Sequence, residues 1–154
     1  NKLFSEWFLP LSAKAAHSNT IRIEMELLAR LGYFFEQVRA DADFVTFASE
    51  LRRHQVSCYI YFVSTGNMNF VMANDKVITI KSARSLLRVR SAPNQQLTSA
   101  AVIRHFAGAI NFEQYCKDLA SAGVFKWSVD LDEETRHYWS KDNRLLYKES
   151  LIPP

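Results

Sequence analysis

His105 and Cys116 stand on either side of a short linker, and a histidine that takes a thiol proton turns cysteine into a nucleophile. This pair is the sequence's candidate for catalysis. The alternative is structural, because a free cysteine on an apolar helix face behaves as a small hydrophobe. Cys58 lies within an apolar run and reads as structural on the same ground. With two cysteines and no CxxC between them, neither a disulfide framework nor a cysteine-rich zinc site is expected, and both are read as reduced thiols.

A second kind of chemistry would use positive charge. Arg52 and Arg53 close an expected helix, and Lys81, Arg84, Arg88 and Arg90 run through a serine-bearing stretch. Such cations can hold phosphates or other anions. No aromatic residue is interleaved between Lys81 and Arg90, so stacking of nucleic-acid bases is not indicated. The net charge of +3 and the pI near 8.9 are milder than those of a dedicated nucleic-acid arm.

The remaining polar clusters point to less. Asp130, Asp132, Glu133 and Glu134 form an acidic run at an expected hairpin turn, where solvated carboxylates are the ordinary case. His54, His105 and His137 fall on a loop, a helix and a strand, with no two spaced as ligands on one helix, so no metal and no cofactor are expected. Gly-x-Ser-x-Gly, P-loop and GxGxxG patterns are absent.

Positioning any of these groups requires a packed core. With 48% apolar and 23% charged residues, the 154-residue chain has the composition and length of one folded domain, and 13% aromatics point to ring packing inside it. No apolar run reaches the roughly 18 residues of a membrane span. Leu3 to Leu11 is apolar but short, without a basic leading stretch, and reads poorly as a secretory signal. The opening at Asn1 leaves room for a segment upstream. A cytoplasmic protein with no membrane contact is the expectation.

Apolar spacing then sets the elements. Ile21, Met25 and Leu28 with Leu27, Leu31, Phe34 and Val38 predict a helix from Ser18 to about Val38, capped by Ser18 or Thr20. A second helix starts at Asp43, with Phe44, Phe47, Ala48 and Leu51 inward. Ser57–Val63 is apolar on both sides and predicts a strand covered on both faces, or at least one deep within a sheet. Met68–Met72 and Lys76–Ile80 complete an antiparallel meander. Ser99–Phe106 is expected as a helix, and Asn111 caps the next one, with Gln114 placed for a capping box. The strict alternation of Phe125, Trp127, Val129 and Leu131 with polar residues marks a half-buried strand, followed by strands at Thr135–Trp139 and Arg144–Tyr147.

The two halves match without a gap at an offset of 68 residues, the separation of Phe44 from Phe112. Phe47 falls on Tyr115, Leu51 on Leu119, Tyr59 on Trp127, Phe70 on Tyr138, and Asn74-Asp75 on Asp142-Asn143. The fold expected is therefore α+β. Two pseudo-repeated units, each a helix plus a three-stranded antiparallel meander, pack around one core behind an extra N-terminal helix. Residues 1–154 divide into an N-terminal extension and helix (1–39), a first repeat (43–80), a connection (81–97) and a second repeat (98–150). In this scheme Cys116 takes the place of Ala48, a small core-facing site. His105 and His137 have no histidine counterpart, and with Arg53 they are expected outside the shared core.

His105, Phe112–Cys116 (FEQYC), Ala122–Trp127 (AGVFKW), Val129–Leu131, Thr135, Tyr138 and a closing Glu149, Ile152, Pro153 carry a further signal. Over about residues 35–153, and most strongly in the second half, the chain resembles the YbcV-type family of unknown function. That family is often prophage-encoded and sometimes labelled phage envelope protein. It departs from the family pattern at Phe106-Ala107, where a Gln-rich stretch is usual. The resemblance implies a compact domain and no particular chemistry.

The expected function is a non-enzymatic interaction or accessory domain of phage or mobile-element type. The alternatives are a small enzyme using His105 and Cys116, and a weak nucleic-acid or anion binder using Arg52, Arg53, Lys81, Arg84 and Arg88. Phe4, Trp7, Phe8, Leu9 and Leu11 carry much apolar area, so a protein partner or self-association through this N-terminal segment is expected.

Overall fold

The computed structural model describes residues 22–31 and 41–151. The order is α1 (22–31), α2 (Asp41–Arg53), β1 (Val56–Phe62), β2 (Met68–Met72), β3 (Val77–Ile80), α3 (Gln95–Phe106), α4 (Phe112–Ser121), β4 (Lys126–Asp130), β5 (Thr135–Trp139) and β6 (Leu145–Ser150). The fold is α+β. Its six strands form one antiparallel sheet in the order β3-β2-β1-β4-β5-β6.

Short turns between apolar strands make each set of three a meander, and the meanders meet where β1 pairs with β4, with Ile60 opposite Ser128. Sharp changes of direction need left-handed backbone, found at Gln55, Gly66 and Asp75 in the first half and at Gly123, Glu134 and Asn143 in the second. Gly123 closes α4. The Val124 N–H bonds Leu119 O and the Gly123 N–H bonds Ala120 O, which satisfies carbonyls the helix leaves open. Glycine is required there, since a Cβ would lie 2.7 Å from Pro93 Cα.

Strand alternation sends one set of side chains into the core. Tyr59, Phe70, Trp127, Val129 and Tyr138 are fully buried from the sheet, meeting Leu51 of α2 and Tyr115 and Leu119 of α4. Aromatic packing dominates, with the Tyr61 and Trp127 rings stacked at 4.3 Å and 11°. The opposite face carries Ile60, Phe62, Ser128, His137 and Trp139, all half-buried. β1 is thus a strand deep within the sheet, the second of the two expectations, and is buried on one side only rather than covered on both. Apolar residues on both faces mark a central strand here without a second layer among the described residues.

Other boundaries shift for local reasons. α2 begins at Asp41, two residues before the expected start. α3 begins at Gln95, inside the stretch read as connection, because Asn94 caps it by accepting the Leu97 N–H at 2.9 Å. Asn111 caps α4 as expected, but Gln114 reaches forward to Asp118, so only half of the capping box forms. Ser18, Thr20, Ile21, Phe34 and Val38, expected in the first helix, and the N-terminal segment from Phe4 to Leu11 lie outside the described residues, as do the side chains of Phe44 and Phe47.

Candidate functional site

Two neighbouring clefts meet at Arg84 and Phe112. One, of about 300 Å³, lies between Ala29 of α1, Tyr61 of β1, Met68 of β2 and the connection at Ile80–Arg84. The other, of about 600 Å³, runs along the start of α4 past Glu113 and Cys116. Cys116 is buried, and its thiol donates weakly toward the Tyr61 hydroxyl at 3.8 Å. The Arg84 guanidinium also lies at that hydroxyl. Burial, and then the neighbouring thiol, raise the Tyr61 pKa well above the usual phenol range, so Tyr61 stays protonated at neutral pH.

Deeper in, the sheet and α4 share a polar network. The Tyr138 hydroxyl donates to Glu149 Oε1 at 3.2 Å, which leaves the Tyr115 hydroxyl to donate to Tyr138. Glu149 also faces Arg136 Nη1 at 3.6 Å, and the Arg136 guanidinium lies 5.3 Å from the centre of the Phe106 ring. Arg136 is only 2% exposed, a burial that a charge tolerates when paired and hydrogen-bonded. The Tyr115 pKa is likewise raised, by burial first and then by Tyr138, so Tyr115 acts as a neutral hydrogen-bonding group rather than a phenolate.

The candidates read from the sequence distribute as follows. His105 is fully buried, with its ring stacked on Tyr115 at 3.9 Å. It therefore sits in the core, which corrects the expectation that an unmatched histidine lies outside; the apolar side of α3 and the Tyr115 ring enclose it. The structure turns His105 onto Tyr115 and the Cys116 thiol onto Tyr61. His54 is buried too, at the end of α2, and His137 lies on the outer sheet face against Trp139.

The five basic candidates do not converge. Arg52 Nη1 donates to Leu131 O at 2.6 Å, and Arg53 pairs with Glu50 at 2.7 Å. Arg84 donates to the carbonyls of Val63 (2.5 Å) and Ser85 (3.0 Å), which pins the connection to the end of β1. Lys81 and Arg88 are exposed. In the acidic run, Asp130 Oδ1 accepts the Asp132 and Glu133 N–H groups and caps the β4–β5 turn. Among the described residues, no three His, Cys, Asp or Glu side chains come together as a metal site.

The network through Arg136 was not singled out from the sequence. The signal was present, since Arg136 and Tyr138 alternate inward along one strand, but a charged residue at an inward position reads locally as a defect.

The profile of a family described as "Protein of unknown function (DUF1398)" matches residues 33–150. The chain is 38% identical over 117 residues to the uncharacterized protein YcgX of Escherichia coli K12, covering 76% of this chain and 87% of that one. It is 40% identical over 117 residues to the uncharacterized protein YbcV of the same organism, covering 76% and 86%. No helix among the described residues is long and apolar enough to cross a membrane.

Proposed function

This chain belongs to the DUF1398 family, whose function is unknown, and from that premise we propose that it is a non-catalytic interaction domain that pairs with a second copy of itself. The observation that carries the reading is the outer sheet face, where Ile60 and Phe62 of the central strand, Val77 and Trp139 stand without a covering layer among the described residues. The face also carries both signs of charge, Asp130 with Lys126 and Lys148, so it complements its own copy better than a polyanion or a polycation.

Sedimentation velocity tests this. The wild type should sediment as a dimer, and Ile60→Lys and the exposed Val77→Lys should sediment as monomers with unchanged far-UV circular dichroism. A wild type that stays monomeric at the highest soluble concentration overturns the proposal. Docking of the N-terminal segment on the body or on a second chain is part of the same reading. It fails if deletion of residues 1–14 changes neither thermal stability nor sedimented mass. An accessory role in a phage or mobile element is checked by gene neighbourhood, and a consistent metabolic-operon setting would rule it out.

We also infer that the scaffold is two copies of one helix–meander unit at the offset of 68 residues. In support, that offset relates Gln55 to Gly123, Gly66 to Glu134 and Asp75 to Asn143, all at positive φ. It also relates Ile60 to Ser128, the pair at the middle of the β1–β4 ladder, and carries the Tyr59–Phe70 pairing onto Trp127–Tyr138. The test is self-alignment of the two halves across many family sequences. Should a neighbouring offset match as well as 68, duplication is wrong.

A further inference from the structure

We propose that the cleft between α1, β2 and the connection at 81–84 binds a small amphipathic carboxylate, an anion with a short apolar body. This site lies on the helix-covered side of the sheet and is independent of pairing through the outer face.

Shape comes first. At about 300 Å³ the cleft is at the small end of ligand sites, and its wall is built mainly from Ala29, Tyr61, Met68, Ile80 and Phe112. Such a wall favours a hydrocarbon or ring over a hydrated ion. Sites of this kind join an apolar wall to a few polar groups that fix the ligand's orientation.

Charge supplies those groups. Lys81 and Arg84 both border the cleft, and neither has a carboxylate partner among the described residues. Arg84 donates to the neutral carbonyls of Val63 and Ser85 and lies at the neutral Tyr61 hydroxyl. Its Nε is buried and has no acceptor among the described residues, so the guanidinium charge is offset by no anion, while the exposed Lys81 ammonium is the donor open to an incoming oxygen. The guanidinium is held firmly. It packs over Gly66, where a Cβ would come within 2.8 Å of Nε, and its two carbonyl bonds prevent it from swinging into water. An immobilised cation beside an apolar wall selects a ligand that carries both features. A carboxylate fits better than phosphate, because a strongly hydrated dianion gains nothing from the hydrocarbon wall.

Titration calorimetry on the full chain, with amide NMR to locate the contacts, separates the components. Octanoate is the probe, octanol the neutral counterpart of the same length, and inorganic phosphate the anion without an apolar body. The proposal expects saturable octanoate binding with shifts at Tyr61, Met68 and Ile80. Octanol should bind about tenfold more weakly, and phosphate should not bind. Lys81→Gln, an exposed change that leaves packing intact, should weaken octanoate severalfold, and the cleft-filling Ala29→Phe should abolish binding. The proposal is overturned by absent octanoate binding, by equal affinity for octanol, by phosphate binding as tightly, or by octanoate affinity unchanged in both variants.

Discussion

The Tyr115 hydroxyl of α4 donates to the Tyr138 hydroxyl of β5, which donates in turn to the Glu149 carboxylate of β6. One helix and two strands are thereby tied through side chains inside a core that is largely aromatic and apolar. Removing the Tyr138 hydroxyl leaves the buried Tyr115 hydroxyl without its acceptor, whereas removing both hydroxyls is milder. Tyr115→Phe or Tyr138→Phe should each cost about 1–3 kcal/mol in urea denaturation, and the double variant should cost less than the two together. Additive losses would show that the hydroxyls act separately.

Gly123 and Gly66 both sit at positive φ, but their surroundings differ. A Cβ at Gly123 meets backbone at 2.7 Å, whereas at Gly66 it meets the side chain of Arg84 at 2.8 Å. Gly123→Ala should therefore lose about 1–3 kcal/mol, and Gly66→Ala should lose less because the Arg84 side chain can give slightly while keeping its carbonyl bonds, whereas backbone cannot. Equal melting-temperature losses would contradict the difference.

Histidine titration should act on stability from one side. Burial, then Arg53, lowers the His54 pKa below 6.5, and burial, then Lys148, lowers that of His137. The folded state thus favours neutral rings. On acidification the unfolded chain takes up protons first, so this contribution is whole above pH 6.5 and is lost as the pH falls through 6.5 toward the lower folded values. The urea midpoint should drop over that window, and His54→Gln should flatten the drop. A midpoint that rises on acidification would reverse the sign.

The two thiols should differ in reactivity without either being fast. Cys116 is buried, and Cys58 is half-exposed with a pKa raised by burial and then by Asp130. In native protein, iodoacetamide should label Cys58 more slowly than a free thiol and Cys116 only after unfolding, as read by peptide mass spectrometry. Rapid native labelling of Cys116 would instead favour the nucleophile reading.

Much of the scaffold was decided by the sequence locally. The Asn111 cap, the alternation along Lys126–Asp130 and the burial of Leu51 and Leu119 follow from spacing within a single element, because helix and strand periods place those side chains whatever packs on them. Tertiary structure decided what depends on distant segments. Only the pairing of β1 with β4 shows that an apolar strand is central yet covered on one side. Only the packing of α3 on α4 encloses His105 against Tyr115. Only the return of β6 brings Glu149 to Arg136 and makes a buried charge tolerable. The connection does the same for Arg84, whose partner Val63 lies 21 residues away. The energy of such a group is set by burial and by its partner, and neither is a property of its neighbours in sequence.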